Sequence, residues 1–441
     1  MLIRKAALKF RLYGGKVIDP HNQLEGNFDI LVENGKIARV TPTGSTPKAP
    51  PESGVENIDV SGKIVVPGLI DMHVHLREPG FEYKETIQTG SRAAAAGGFS
   101  SICCMPNTNP VNDSSSVTEY ILNKAETGGW VNVFPIGAIS KGLRGESLAE
   151  IGELKEAGVV AISDDGNPVM NSNLMRRALE YAKVFDLPVI PHCEDKDLSG
   201  EGLINEGFIS TITGLPGIPA AAEAVMVARD IALAELTGWR LHIAHVSTAG
   251  AVRFIREAKA RGVAVTAEAT PHHFSLTEEA VKDYDTNTKV NPPLRSGKDL
   301  DAVKEGLNDG TIDVIASDHA PQSSVEKELE FESAENGIIG LETELSLSLK
   351  LVADGILSLS DVIAKLTINP ARILRLPKGT LSEGADADIS VIDLEQSWLV
   401  DPSKFNSKSR NTPFNHWELK GRAVMTIVGG KIVMRDGVIQ E

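Results

Sequence analysis

Long apolar runs are missing from this chain: no window approaches the roughly 18 uninterrupted apolar residues of a transmembrane helix. The opening residues, MLIRKAALKFRL, spread basic side chains among apolar ones and lack the unbroken core of a signal peptide. Cysteine is scarce, with three in 441 residues, and two of them, Cys103 and Cys104, are adjacent, which excludes a disulfide framework. Positive charge is in deficit. Forty-four Lys and Arg stand against 60 Asp and Glu, a net charge of -16, which disfavours nucleic acid or an anionic membrane as partner. Neither a Gly-x-Gly-x-x-Gly strand-to-helix turn nor a Walker A sequence occurs, so nucleotide folds lose support. What is present, 41% hydrophobic and 24% charged residues with 40 glycines and 23 prolines, is the composition of a folded, loop-rich chain. A cytoplasmic globular enzyme or binding protein is expected.

The two ends resemble each other. Tyr13-Gly14-Gly15-Lys16-Val17-Ile18 near the start and Ile427-Val428-Gly429-Gly430-Lys431-Ile432 near the finish share an apolar–Gly-Gly-Lys–apolar shape. Short β-branched runs punctuated by Gly and Asn predict hairpins, with a proline-rich surface loop at 41–51. A single small β-sandwich built from both termini, residues 1–65 and 376–441, explains the likeness better than two unrelated edges. Between them, over 66–375, strands and helices alternate. Strands are predicted at 68–76, 99–105, 131–138, 158–164, 188–193, 241–246, 263–269 and 313–318, and helices at 85–96, 148–157, 174–185, 220–235 and 249–260. That alternation predicts a (β/α)8 TIM barrel in preference to an open doubly wound sheet.

His73-Val74-His75 ends the first barrel strand, and side chains two apart on a strand face the same way, so both imidazoles address one site. Neutral imidazole is a common zinc ligand, and barrel active sites lie at the C-terminal ends of the strands. Other ligand-type residues fall at other strand ends: Asp164-Asp165 after strand four, His192 after five, His245 after six and Asp318 after eight. Asn107 follows strand two and Asn291 lies beyond strand seven. Any one of these could be a satisfied core histidine or a helix cap, Asp164 above all. The set of His73, His75, Asp165, His192, His245 and Asp318 at five strand ends is hard to explain so. Four histidines and two aspartates suffice for two metals sharing a bridge.

The stretch Pro67-Gly68-Leu69-Ile70-Asp71-Met72-His73-Val74-His75-Leu76-Arg77-Glu78-Pro79-Gly80 resembles the amidohydrolase superfamily, and within it the dihydroorotases of the longer bacterial class. Met105-Pro106-Asn107-Thr108-Asn109-Pro110, Ser163-Asp164-Asp165-Gly166, Thr270-Pro271-His272-His273, Asn291-Pro292-Pro293-Leu294-Arg295 and Ser317-Asp318-His319-Ala320-Pro321 match in order, nearly end to end. The resemblance implies one or two zinc ions, the first on His73, His75 and Asp318, the second on His192 and His245. Asp165 then takes the bridging place that a carbamylated lysine holds in hydantoinases and allantoinases. It implies reversible hydrolysis of dihydroorotate to N-carbamoyl-L-aspartate in pyrimidine synthesis. The metal supplies the nucleophile by lowering the pKa of water toward ~7, and Asp318 carries the proton to the leaving nitrogen. His75, Arg77, Asn107 and Asn291 match substrate-binding positions, with Arg77 on the substrate carboxylate. Two positions depart from the family: Gln322 stands where a histidine is usual and Asn336, beside Gly337, where an aromatic is usual. Both lie in an acidic stretch, 321–337, suited to a lid over the substrate. A homodimer is expected, and aspartate carbamoyltransferase is a candidate partner. Competing readings are an allantoinase or hydantoinase, and a weakly active structural partner of that transferase.

Other residues read as bland. His272 and His273 are neighbours on an extended segment, so at most one faces the site, and both stay off the ligand set. Cys193, next to His192, should point away from it, and Cys103 and Cys104 read as small buried residues. The alanine-rich run 92–96 reads as a helix packing on the barrel.

Overall fold

A computed structural model describes residues 9–44 and 55–440. The predicted loop at 41–51 falls mostly outside the described residues, as does the chain's start at 1–8. The β-branched runs at the two ends do pair. One ten-stranded sheet joins Lys9–Tyr13, Lys16–Asp19, Leu24–Glu33, Lys36–Pro42, Glu56–Asp59 and Ile64–Pro67 to Ile389–Leu399, Glu418–Val428, Lys431–Arg435 and Val438–Ile439. The seam is antiparallel, with Val65 opposite Val391 and Pro67 opposite Ile389. Leu24–Glu33 passes between two layers: its first residues pair with Lys16–Asp19, its later ones with Lys9–Tyr13 and Lys36–Pro42. Phe10, Leu12, Ile30, Val32, Val65, Ile389, Val391 and Ile427 pack between the layers as a separate core. The Gly429-Gly430 turn has φ of 53° and 77°, the left-handed pair that a two-residue hairpin needs.

Ile64–Pro67 runs directly into the first barrel strand, Leu69–Val74. Phe99–Cys104, Asn132–Pro135, Ile162–Ser163, Leu241–Ile243, Val265–Ala269 and Val314–Ile315 follow, and every pairing among neighbours is parallel. Closure comes from the parallel bridge Val74–His319, where His75 N–H donates to His319 O at 2.8 Å. The fifth strand is shorter than expected. Of 188–193 only Val189 makes bridges, to Ile162 and Leu241, because Pro188 and Pro191 on either side have no N–H to donate. The fourth likewise shrinks from 158–164 to Ile162–Ser163.

The five predicted helices appear as Ile87–Gly97, Ile151–Ala157, Ser172–Val184, Ala221–Thr237 and Ala249–Ala260. After strand eight come Glu344–Ala353, Leu359–Lys365 and Ile368–Leu374, also unpredicted; the other two unpredicted helices of the ring are Ser115–Gly128 and Gly297–Asn308. Each buries a thin stripe (Val117, Thr118 and Ile121 in the former), too sparse to register as a 3.6-residue period. No helix among the described residues is long and apolar enough to cross a membrane.

Strand parity sorts the barrel's side chains. Cys103, Ala161, Ile190, Ala244, Val314 and Ala316 form an inner cluster, while Cys104, Ile162, Val189, Ile243 and Ile315 pack outward against helices. Two residues beyond Ile190 and Ala316 in the inward register stand His192 and Asp318, and Asp165 lies four beyond Ala161.

Candidate active site

The strand ends deliver the predicted residues to one place. Asp165 is central. Its Oδ1 lies 3.4 Å from His73 Nε2, 3.4 Å from His245 Nε2 and 3.8 Å from His192 Nδ1, and its Oδ2 lies 3.5 Å from His75 Nε2. Asp318 Oδ1 sits 3.0 Å from His75 Nε2 and 3.5 Å from His73 Nε2. All six side chains are buried or nearly so. Two residues leave regular strand geometry to get there: His245, next to inward Ala244, has φ of 32°, and Asp318 has φ of 47°. Positive φ at non-glycine residues stores backbone strain of the kind found at functional sites.

Neighbours set which nitrogen of each ring faces the centre. Glu268, in the middle of strand seven, holds His73 Nδ1 at 2.5 Å and His242 Nε2 at 3.1 Å, and accepts the backbone N–H of His245 at 3.2 Å. A carboxylate only accepts, so His73 carries its hydrogen on Nδ1 and turns the Nε2 lone pair inward. Glu194 does the same for His192, whose Nε2 is 3.0 Å from Glu194 Oε2. Asn107 Oδ1 takes the Nδ1 side of His75 at 2.9 Å. Glu268 and Glu194 are functional residues that the strand-end search missed. Each carried a signal: Glu268 lies between outward Ala267 and Ala269, a charge at inward parity on a buried strand, and Glu194 is two residues from His192.

The electrostatics describe a centre short of positive charge. Burial opposes an imidazolium at His73, yet Glu268, Asp165 and Asp318 hold its pKa well above the ordinary value. His192 is likewise pushed up to about 9, burial being outweighed by Asp165 and Glu194. Asp318 is drawn down to about 2, because the charges of His73 and His75 and a bond from His75 outweigh its burial. His192 Nδ1 and His245 Nε2 face each other at 2.9 Å, which requires a shared proton or a cation between them. His73 Nε2 and Asp165 Oδ1 are buried without a hydrogen-bond partner. The ligand atoms of His73, His75 and Asp165, and those of Asp165, His192 and His245, lie within 4.8 Å of one another in each trio. These donors fit a metal ion in either trio, with Asp165 common to both.

The remaining predicted residues are placed less uniformly. Arg77, with φ of 62°, donates through Nε to Pro321 O at 3.1 Å, which brings it beside the loop after strand eight. Asn291 Nδ2 donates to Glu194 Oε2 at 2.9 Å and so supports His192. Gln322 is tied at both ends of its amide: Lys84 Nζ donates to its Oε1 at 2.7 Å, and its Nε2 donates to Asn336 O at 2.6 Å. Asn336 thus enters through its backbone. Gly337 has φ of 136°, and a Cβ there would meet Ala320 O at 2.5 Å, so only glycine lets the 321–337 segment lie this close to strand eight. His272 and His273 are on a short helix, Pro271–Ser275, and not on an extended segment, because Pro271 starts a helical turn directly after Thr270. His273 is spent on Thr270 and on Pro292 O. Asp164 caps the Ile139 and Ser140 backbone, and Cys193 faces Asp230 away from the cluster.

Comparison with known proteins agrees with this geometry. The profile of the dihydro-orotase-like family matches residues 62–251, and that of the amidohydrolase family matches 212–434. A dihydroorotase of Syntrophus aciditrophicus (strain SB) is 60% identical over 430 residues, covering 97% of this chain and 100% of its relative. The chain belongs to the dihydroorotase family. A second dihydroorotase, from Pelotomaculum thermopropionicum, is 59% identical over 434 residues, covering 98% of this chain and 100% of the other. Among solved structures, the L-hydantoinase (dihydropyrimidinase) of Arthrobacter aurescens superposes with a TM-score of 0.86 at 26% identity, over 98% of each chain. The dihydroorotase family is therefore built here on the barrel of the cyclic amidohydrolases, as its strand order predicted. Its metal dependence agrees with the two histidine–aspartate trios.

Proposed function

We propose that this chain catalyses the reversible hydrolysis of dihydroorotate to N-carbamoyl-L-aspartate, with zinc as its metal. The observation that carries the reading is an aspartate, Asp165, at the focus of four imidazoles, beside Arg77 at the strand-eight loop. Zinc, as one or two ions, would be held by His73, His75 and Asp318 and by His192 and His245, with Asp165 shared. When bound there, it acidifies water and polarises a carbonyl. The protein's own groups do the rest. Arg77 pairs its guanidinium with the ring carboxylate and fixes which carbonyl meets the centre. Asp318, already ionised, takes a proton from the attacking water as its oxygen bonds to the ring carbonyl carbon. The carbon–nitrogen bond then breaks, and Asp318 returns the proton to the leaving nitrogen. Ring closure reverses each transfer. Asn107 and Asn291 act through His75 and through Glu194 and His192. Strand four ends in Asp164-Asp165 with no lysine, which disfavours the hydantoinase and allantoinase readings.

In this reading the chain divides into 1–65, 66–375 and 376–441 and works as a cytoplasmic homodimer. Metal content by elemental analysis, measured with turnover of dihydroorotate, allantoin and hydantoin by the isolated chain, tests the reading. Zinc with turnover of dihydroorotate alone is expected. Turnover of hydantoin without dihydroorotate would overturn it. Repeating the assay with added aspartate carbamoyltransferase separates a self-sufficient enzyme from one that needs that partner.

A further inference from the structure

Glutamine at 322 poses a chemical problem. Its amide offers two faces of opposite character, a carbonyl that repels a carboxylate and an NH2 that binds one. A site that takes an anionic substrate there must decide which face is presented. The surroundings of Gln322 decide it. Lys84, buried at 8% exposure, places Nζ 2.7 Å from Gln322 Oε1. An ammonium only donates, so the reversed amide would set NH2 against NH3+. The lysine itself is fixed by Glu326 Oε1 at 2.8 Å and by the Phe81 and Tyr83 rings, each 5.6 Å away. On the other side, Asn336 O accepts from Nε2 at 2.6 Å, while Asn411 Oδ1 accepts from the Gln322 backbone N–H at 3.1 Å. The amide is thereby held with its donors away from Lys84, and one of the two Nε2 hydrogens is not used by Asn336.

We infer that Lys84 is a specificity-determining positioning residue, which locks Gln322 as a hydrogen-bond donor to the carboxylate of the substrate. The ammonium touches no substrate; it converts an ambivalent amide into a one-way donor. Residues 84 and 322 come from opposite sides of the barrel's closure, after strands one and eight. Arg77 lies on the same loops, bonded to Pro321. The carboxylate would therefore meet a guanidinium and an oriented amide together.

The inference rests on the dihydroorotase reading, and its test separates the two. Wild-type enzyme that fails to turn over dihydroorotate condemns the reading. With turnover established, Lys84→Met should raise KM for dihydroorotate about tenfold with a smaller change in kcat. Inhibition by the methyl ester of dihydroorotate, which lacks the charge, should hardly move. Lys84→Arg, still a pure donor, should recover most of the loss. Glu326→Gln weakens the ion pair that fixes Lys84 but keeps the Lys84–Gln322 bond, so its KM should rise by less than that of Lys84→Met. In a Gln322→Leu background, Lys84→Met should add little. Should Lys84→Met not fold, Gln322→Glu carries the test: it keeps a partner for Lys84 but offers no donor, and dihydroorotate should weaken at least about tenfold against an unmoved ester. The inference is overturned by an unchanged KM in Lys84→Met, by parallel weakening of acid and ester, or by Gln322→Glu binding the acid as wild type does.

Discussion

Glu268→Gln isolates what a buried charge does for a metal ligand. Glu268 is fully buried and serves three groups, His73 Nδ1, His242 Nε2 and the His245 N–H. Glutamine preserves its shape. The amide oxygen still accepts from His73 and His245, and the NH2 can face His242 Nε2 as an acceptor, since His242 Nδ1 meets a hydroxyl, Thr266 Oγ1, at 2.8 Å. What disappears is the negative charge that raises the basicity of His73. Loss of such a partner costs 10- to 100-fold in metal affinity, or about 1.4–2.7 kcal/mol. The metal-free protein should melt close to wild type, because no donor is orphaned and a buried charge is gone. Glu268→Ala should behave differently. It strands three polar groups at about 1–3 kcal/mol each, so the metal-free fold loses stability as well. Chelator titration followed by elemental analysis gives the metal affinity, and thermal melting of the metal-free variants gives the fold. Glu268→Gln holding zinc to the same chelator concentration as wild type would refute a role for the carboxylate in tuning His73.

Other outcomes follow from the same geometry. His192→Ala and His245→Ala should each lower bound zinc and turnover together, and unchanged zinc by elemental analysis in both would remove them from the ligand set. Asp318→Asn should keep the fold and much of the substrate affinity while losing at least ~10²-fold in turnover; near-native rates with dihydroorotate would move the proton transfer elsewhere. Gln322→His should fail to lower KM below about pH 7, because Lys84 opposes protonation of an imidazole placed against it. The same substitution combined with Lys84→Met should lower KM relative to Lys84→Met alone in that range, and a gain in the single variant would show that Lys84 does not reach position 322.

Legibility in the sequence followed the local rules. His73, His75, Asp165, His192, His245 and Asp318 could be picked out because strand ends are properties of short segments, although parity alone would turn His245 outward and only its positive φ brings it to the centre. The barrel could be read because buried β-branched runs alternated with amphipathic ones. Where a segment's behaviour depended on partners, the reading failed. The strand at 188–193 has apolar character, but Pro188 and Pro191 strip the ladder to Val189. Ser115–Gly128 is helical although it buries little, since its neighbours on the barrel wall supply the packing that its own pattern does not advertise. His272-His273 seemed extended only because the turn begun by Pro271 leaves no periodic trace in five residues.

Gln322 shows why residue-by-residue comparison falls short at a binding site. Set against a histidine, a glutamine is a loss of charge, and weaker substrate binding follows. Set beside Lys84, 238 positions away in the chain, it is one half of a device that presents a donor. Hydrogen-bonding capacity belongs to the pair, and no local pattern links its members. The same holds for the metal centre. The upward shifts of His73 and His192 and the downward shifts of Asp165 and Asp318 are a collective property of these groups together with Glu268 and Glu194. Lys84 does not relieve that deficit, since its charge is committed to Glu326. Arg77 leans on Pro321, and in the proposed reaction its guanidinium is taken up by the substrate carboxylate. Imidazoles raised in this way call for positive charge at the centre, and a divalent cation held by the two histidine–aspartate trios would supply it in place of protons.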